Sequence, residues 1–400
     1  MKPHPRAVEP LLAEIARQSL TRLRRTVEEA CELEGAEVAV DGRRLINFCG
    51  NDYLGLSRHP ELIAALCQAA ARYGVGSGAS HLVTGHGREH ELLEEELARF
   101  VGRERALLFS TGYMANLAAI TALAGRGDLL LLDRLSHASL IDAALLSRAR
   151  LRRYPHADAA ALAHMLAEVR CTPAADRVTL IATDGLFSMD GDVAPVAELA
   201  RSAARHGAWL LVDDAHGLGV LGAGGRGTLE HLGLHPTSVP LLMGTLGKAL
   251  GTFGAFLAGD RDVIELILQR ARSYIYTTAA PQPLAAATRA ALRILQREPW
   301  RRERVLELTR RFRAAALEHD VPLAASSTPI QPIVLGDAEA TLTASRRLAE
   351  SGFWVAAIRP PTVPRNTARL RVTLSAAHTD AQVDALVAAL ARCLAAPRRA

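Results

Sequence analysis

No apolar stretch of this sequence comes near the roughly 20 residues that cross a bilayer. The first twenty residues, MKPHPRAVEPLLAEIARQSL, lack the apolar core of a secretory signal, and their acidic members argue against a transit peptide. Cysteine is sparse: Cys31, Cys49, Cys67, Cys171 and Cys393 are scattered, with no CxxC pair. That spacing argues against zinc or any other metal site and against a disulfide framework, and it fits a reducing cytoplasm. Aromatic residues are only 4% of the chain and do not interleave with basic ones, while 42 acidic residues nearly match 47 basic ones. Neither nucleic acid nor a membrane is therefore an expected partner.

What is present describes a large globular chain. Its 400 residues, 49% hydrophobic and 22% charged, exceed a usual single core. Nine arginines between Arg289 and Arg313 account for much of the net charge of +5. They read as solvated helix faces, with steering of a polyanionic partner such as coenzyme A or an acidic carrier protein as the alternative. Residues 9–34 read as an amphipathic helix with a basic patch, Arg22, Arg24 and Arg25. Two short strands follow, split by the Asp41-Gly42 turn. The stretch GVGSGASHLVTGHG from Gly74 is too rich in glycine for a regular element.

From residue 106 the pattern becomes regular. Short apolar runs (Ala106–Phe109, Leu129–Leu132, Leu151–Tyr154, Val178–Thr183, Trp209–Val212, Leu241–Met243, Ala255–Ala258) alternate with helical stretches. This predicts an α/β fold, a mainly parallel sheet sandwiched by helices, with ligands at the carboxyl ends of the strands. A long helix starts near Gln282, and a smaller α+β domain completes the chain. The expected division is 1–50 (helix and short strands), 51–290 (large domain) and 291–400 (small domain).

The residues after each strand carry the chemistry. Ser110-Thr111-Gly112-Tyr113-Met114-Ala115-Asn116 is a turn opening a helix, suited to phosphate. Ser136-His137-Ala138-Ser139 follows the second strand, where His137 could equally be a helix-start residue. Ser188 stands between bulky neighbours in Phe187-Ser188-Met189. Asp213-Asp214-Ala215-His216 is costly on a buried strand without partners. Lys248 is the only charge from Val239 through Ala258. A lysine there is either a loop residue reaching water or a desolvated amine able to form a Schiff base. Two nucleotide motifs fail: Gly217-Leu218-Gly219-Val220-Leu221-Gly222 fits G-x-G-x-x-G but opens no helix, and Gly247-Lys248 lacks the rest of a P-loop. An aspartate for a pyridinium nitrogen, a lysine for an aldehyde and a helix N-terminus for phosphate together equip a chain for pyridoxal phosphate.

These residues, with Asn51-Asp52-Tyr53-Leu54-Gly55, Ser188-Met189-Asp190-Gly191-Asp192 and Thr245-Leu246-Gly247-Lys248, resemble the α-oxoamine synthases, fold-type I pyridoxal-phosphate enzymes. Ala357-Ile358-Arg359-Pro360-Pro361-Thr362-Val363-Pro364, then Ala368-Arg369-Leu370-Arg371, looks like the biotin-synthesis branch, which condenses L-alanine with a pimeloyl thioester of coenzyme A or a carrier protein. The resemblance implies that Lys248 would hold the cofactor and move the substrate α-proton. Asp213 would pair with the ring nitrogen, and His216 and Ser188 with its phenolic oxygen. His137 would stack on the ring and also face the substrate. Gly112, Tyr113 and Thr245 would hold phosphate, with Thr278 reaching in from the second subunit of a homodimer. Arg371 would fork the amino-acid carboxylate, and Asn51, Arg359, Thr362 and Arg25 (or Arg24) would face the substrate. Asp184 stands where the family generally has Glu, and His81 where Arg or Gly is commoner. The alternatives are a sibling such as a glycine C-acetyltransferase and a non-catalytic protein that has kept the fold. Intact Lys248, Asp213 and His216 argue against the second.

Overall fold

The computed structural model describes residues 8–17, 24–28, 33, 35–170 and 177–395. Seven apolar runs form its central sheet: β1 Arg105–Phe109, β2 Leu129–Asp133, β3 Arg150–Tyr154, β4 Thr179–Asp184, β5 Trp209–Asp213, β6 Leu241–Thr245 and β7 Ala255–Gly259. Their spatial order is β1-β7-β6-β5-β4-β2-β3. The pairs from β3 through β6 are parallel, and β7 runs antiparallel to both its neighbours. Leu130, Leu131 and Leu132 of β2 are fully buried. Burial of each such side chain is worth about 1.5–3 kcal/mol, so both sheet faces must be covered. Helix α1 (Gly112–Leu123) and helix α2 (Ala138–Ser147) cover one of them. Buried Ala115, Ala118, Ala119, Ala143 and Ala144 belong to the core cluster formed there with β2 and β6.

The long helix starts at Gln282 as expected and ends at Arg297, and a second, Trp300–Glu318, begins after Pro299. The second helix is tied to the last one, Asp380–Ala395, by the ion pairs Arg304–Asp380 and Arg311–Asp384. Strands β8 (Ile330–Gly336), β9 (Ala356–Ile358) and β10 (Ala368–Thr373) form an antiparallel sheet in the order β8-β10-β9. Phe353–Trp354 instead pairs with Ile46 and Asn47, so the chain changes sheets at buried Val355 and the N-terminal strands share a sheet with the C-terminal region.

Two expectations need correction. Among the described residues of the helix expected over 9–34, Val8–Arg17 is helical, and Val27–Glu28 is a strand paired with Val40 and Ala39. β-branched Thr26 and Val27 favour extended backbone, Asp41 N–H donates to the Thr26 carbonyl, and Arg25 pairs with Asp41 at 2.6 Å. Arg22, Cys31 and Cys171 lie outside the described residues. The glycine-rich stretch contains one regular turn, a wide helical turn at His81–Gly85 closed by Gly85 N–H on the Ser80 carbonyl at 2.9 Å. Among the described residues no helix is long and apolar enough to cross a membrane.

Candidate active site

The parallel strands end in side chains that burial disfavours: Asp133 on β2, Asp184 on β4 and Asp213, followed by Asp214, on β5, all nearly inaccessible. Each must find donors. Asp214 takes Thr228 N–H and its hydroxyl, both at 2.6 Å. A side chain at Gly217 would collide with that carboxylate, so this glycine of the rejected dinucleotide motif serves packing around Asp214. Burial raises the Asp214 carboxyl to about 6, against the Thr228 bonds.

Lys248 follows β6 and is half-buried. Its Nζ lies 2.9 Å from His216 Nε2, and His216 Nδ1 lies 2.7 Å from the Tyr53 hydroxyl. An ammonium can only donate, so Nε2 accepts and Nδ1 carries the proton toward Tyr53. Burial lowers the amine to about 8, with the Arg371 charge adding and Asp213 opposing. Burial, then the Lys248 and Arg371 charges, holds His216 well below its ordinary range, so the imidazole is neutral.

Asp213 is held on both oxygens, by Ala215 N–H at 3.1 Å and Asn116 Nδ2 at 2.7 Å. The same amide donates to Ser139 Oγ at 2.8 Å, and that hydroxyl is 2.7 Å from His137 Nδ1. His137 Nδ1 also accepts Ser139 N–H as the cap of α2, so the capping reading and the functional one coexist. With Nδ1 accepting, Nε2 carries the ring proton. His137 N–H donates to Asp184 at 2.9 Å. Burial and the Asp213 charge push the Asp184 carboxyl well above its ordinary range.

Arg371 enters from β10. Its Nε donates to the Ser188 carbonyl at 2.6 Å, and its terminal nitrogens reach Thr373 Oγ1 at 3.1 Å and Asn51 Oδ1 at 3.3 Å. Thr111 caps α1 by accepting Met114 N–H at 3.2 Å. The first N–H groups of a helix have no acceptor within it, so those of Gly112 and Tyr113 point outward at its positive end. A Cβ at Gly112 would lie 3.0 Å from the Thr245 methyl.

The structure thus brings together Lys248, His216, Asp213, His137, Asn51 and Arg371, with Gly112 and Thr245 at the adjoining turn. The Tyr113 ring is exposed and its hydroxyl bonds Asp142. Thr278 is exposed and bridged to Ser80, outside this cluster. Arg25, Arg359 and Thr362 line a separate cavity of about 970 Å³ that also includes Cys49 and Trp354. Ala356 of the same cavity pairs in register with Arg371 on β10, which brings the cavity's inner wall up to that strand, and burial raises the Cys49 thiol to about 12 although the Arg371 charge opposes this. His81 stacks on Tyr274 at 4.8 Å and its Nδ1 is 3.0 Å from that of His86. Nearby His90 has both nitrogens committed, to Gly87 N–H and the Ala280 carbonyl. Tyr53, Asn116 and Ser139 stand in motifs visible in the sequence, but nothing there assigns them partners. The four-residue spacing of Gly112 and Asn116, one helical turn, was the available signal.

Residues 43–390 match the family model for class I and II aminotransferases. The chain is 58% identical over 380 residues to 8-amino-7-oxononanoate synthase of Methylococcus capsulatus, covering 95% of this chain and 96% of that one. Among solved structures it resembles serine palmitoyltransferase from S. paucimobilis with a bound PLP–myriocin aldimine (TM-score 0.89, 30% identity, 96% and 97% of the two chains). It also resembles the 8-amino-7-oxononanoate synthase of Francisella tularensis (TM-score 0.75, 31% identity, 87% and 97%). The chain belongs to the 8-amino-7-oxononanoate synthase family. Its cofactor is pyridoxal phosphate, and the residues present fit that group. Asp213 offers a buried carboxylate to a protonated ring nitrogen, Lys248 a depressed amine to the aldehyde, and the gap between Gly112 and Thr245 a cradle for phosphate at a helix N-terminus.

Gly112→Val would fill that cradle. Cofactor affinity should fall by about tenfold or more, equivalent to at least about 1.4 kcal/mol. Absorbance-monitored release of the cofactor into buffer checks this, and unchanged retention would place the phosphate elsewhere.

Proposed function

We propose that the chain condenses L-alanine with a pimeloyl thioester, with loss of carbon dioxide, to give 8-amino-7-oxononanoate and the free thiol carrier for biotin synthesis in the cytoplasm. The observation that carries the reading is the relation of the cavity to Arg371. Ala356, which lines the cavity with Cys49, pairs in register with Arg371, so an acyl chain in the cavity would end near that strand, and the Arg371 charge also acts on Lys248. Two substrates, one a short amino acid and one a long acyl chain, can therefore meet at one amine.

Pyridoxal phosphate, when bound, supplies the electron sink for charge developing at the amino-acid α-carbon. Arg371 is placed to fork the alanine carboxylate, its guanidinium oriented by the Ser188 carbonyl and Asn51. The Lys248 amine, near 8, is matched to taking and returning a proton at neutral pH. Asp213, whose two oxygens accept Asn116 Nδ2–H and Ala215 N–H, would keep a ring nitrogen protonated. Once Lys248 engages the cofactor and no longer donates to Nε2, neutral His216 would turn to the other tautomer, with the Tyr53 hydroxyl donating to Nδ1 and Nε2–H free to donate to the phenolic oxygen, and Ser188 would offer a second hydrogen bond. His137, oriented through Ser139, presents its face to the ring and the reacting carbon. Arg25, Arg359 and Thr362 face the acyl substrate, carried on coenzyme A or on a carrier protein.

We read the enzyme as a homodimer. Val75, Val83 and Tyr276 are 84%, 73% and 70% exposed on the adjoining segments that hold Ser80 and Thr278. A second copy would cover them and receive Thr278 at its phosphate.

The test offers holoenzyme L-alanine or glycine with pimeloyl- or acetyl-coenzyme A and identifies products by mass spectrometry. Alanine with the pimeloyl thioester is expected to give the amino-oxo acid. Turnover of glycine with acetyl-coenzyme A alone would assign the chain to a sibling reaction.

A further inference from the structure

The mechanism uses the Phe187–Asp192 loop only through Ser188, yet this loop is the joint between the two halves of the molecule. From the small domain Arg371 Nε holds the Ser188 carbonyl at 2.6 Å, and Arg369 holds the Met189 carbonyl at 3.1 Å and Asp190 at 2.5 Å. Ser326 and Thr328 hydroxyls both donate to the Gly191 carbonyl, at 2.8 and 3.0 Å. From the large domain the His156 imidazole reaches the loop's end. His156, two residues past β3, places Nδ1 3.0 Å from Asp133 and Nε2 3.0 Å from Asp192. Its ring stands edge-on to Phe187 at 4.4 Å.

The bridge is anchored firmly on its inner side. Buried Asp133 also accepts Leu135 N–H and Ala157 N–H, each at 2.7 Å. Ala157 has a φ of +52°, a left-handed conformation costly for a residue with a Cβ, and its bond to Asp133 helps to hold it there. A ring between two carboxylates can satisfy both only as imidazolium, because each nitrogen must donate. Burial opposes the charge, and the two carboxylates more than offset it, raising His156 to about 10.

We propose that His156 is a positioning residue for the amino-acid carboxylate site. Its bridge from Asp133 to Asp192 fixes the 187–192 loop, whose Ser188 carbonyl orients the Arg371 guanidinium. The proposal rests on the reading of Arg371 as the carboxylate fork. It predicts a selective defect: a loose loop lets Arg371 swing, weakening alanine capture, while the phosphate turn at Gly112 and the end of the acyl cavity lined by Arg25, Arg359 and Thr362 stay in place.

The experiment compares holoenzymes carrying His156→Ala, Asp192→Asn and Arg371→Lys with the parent. Asp192→Asn changes a part-exposed loop residue, so the test survives if His156→Ala fails to fold. His156→Ala and Asp192→Asn should each raise KM for L-alanine about tenfold, with kcat and KM for the pimeloyl thioester within about threefold of the parent. The amount of bound cofactor should not change, and His156→Gln, which keeps one bond, should recover part of the loss. Arg371→Lys should raise the alanine KM further. If Arg371→Lys raises it and neither bridge variant does, or if both kinetic constants fall together with cofactor loss, the positioning role is overturned. If Arg371→Lys leaves the alanine KM unchanged, the fork assignment itself falls and takes the proposal with it.

Discussion

Lys248→Ala should lower kcat by at least about ten-thousandfold, since on the proposed mechanism it removes both the covalent anchor and the group that moves the α-proton. The fold should survive. The deleted side chain is an amine that burial already disfavours, so its removal relieves a cost as it opens a small space. Lys248→Arg restores a cation but not a nucleophile and should be equally inactive, which separates amine chemistry from charge. Borohydride treatment should label the parent at Lys248 and neither variant. In the cofactor-free parent, the neutral fraction of the amine rises as pH climbs through about 8. The rate of capture of added pyridoxal phosphate should rise over the same interval. A variant that kept turnover, or a capture rate independent of pH between about 6 and 9, would contradict the role of a depressed amine.

Asp213→Asn is expected to cost on the order of a thousandfold in kcat, the scale of losing a preorganised charge at the reacting group. The accompanying stability change has a definite sign. In the folded protein, burial and the Asp213 charge hold the Asp184 carboxyl well above its ordinary 3.8. Above that value the folded state binds more protons than the unfolded one, so stability falls as pH rises. Removing the neighbouring charge lowers the Asp184 carboxyl toward its ordinary value. The stability that the cofactor-free protein loses as pH rises above Asp184's ordinary 3.8 should therefore shrink in Asp213→Asn. Melting curves at several pH values measure this, and an unaltered pH dependence would show that the two carboxylates do not interact.

The strands, their order along the chain and the helices between them were legible because each follows from a local pattern. Four-residue apolar runs such as Leu129–Leu132 must be buried on both faces, and their alternation with helical stretches leaves few arrangements other than a covered parallel sheet. Lys248, Asp213 and His216 were legible for a related reason, since charged groups directly after buried strands demand partners. The N-terminal segment was misread because helical periodicity in residues 9–34 competes with long-range pairing. Val27 meets Val40, and Arg25 meets Asp41, contacts with no local signature.

The partners that orient the site come from distant parts of the chain. Tyr53 lies 163 residues from His216, Asn116 lies 97 from Asp213, and Arg371 lies 320 from Asn51. No propensity or spacing connects such pairs, because a hydrogen bond between side chains is decided by where the backbone places two atoms to within a few tenths of an ångström. Lys248 illustrates the division. The sequence by itself determined that a lone lysine follows a buried strand and that an acidic strand end and a histidine stand elsewhere in the same sheet. Only the tertiary structure decided that this amine is half-buried 2.9 Å from a neutral imidazole, with Arg371 near enough to lower its pKa further. The physical reason is that desolvation and charge act through space, and the chain meets itself there only after it has folded.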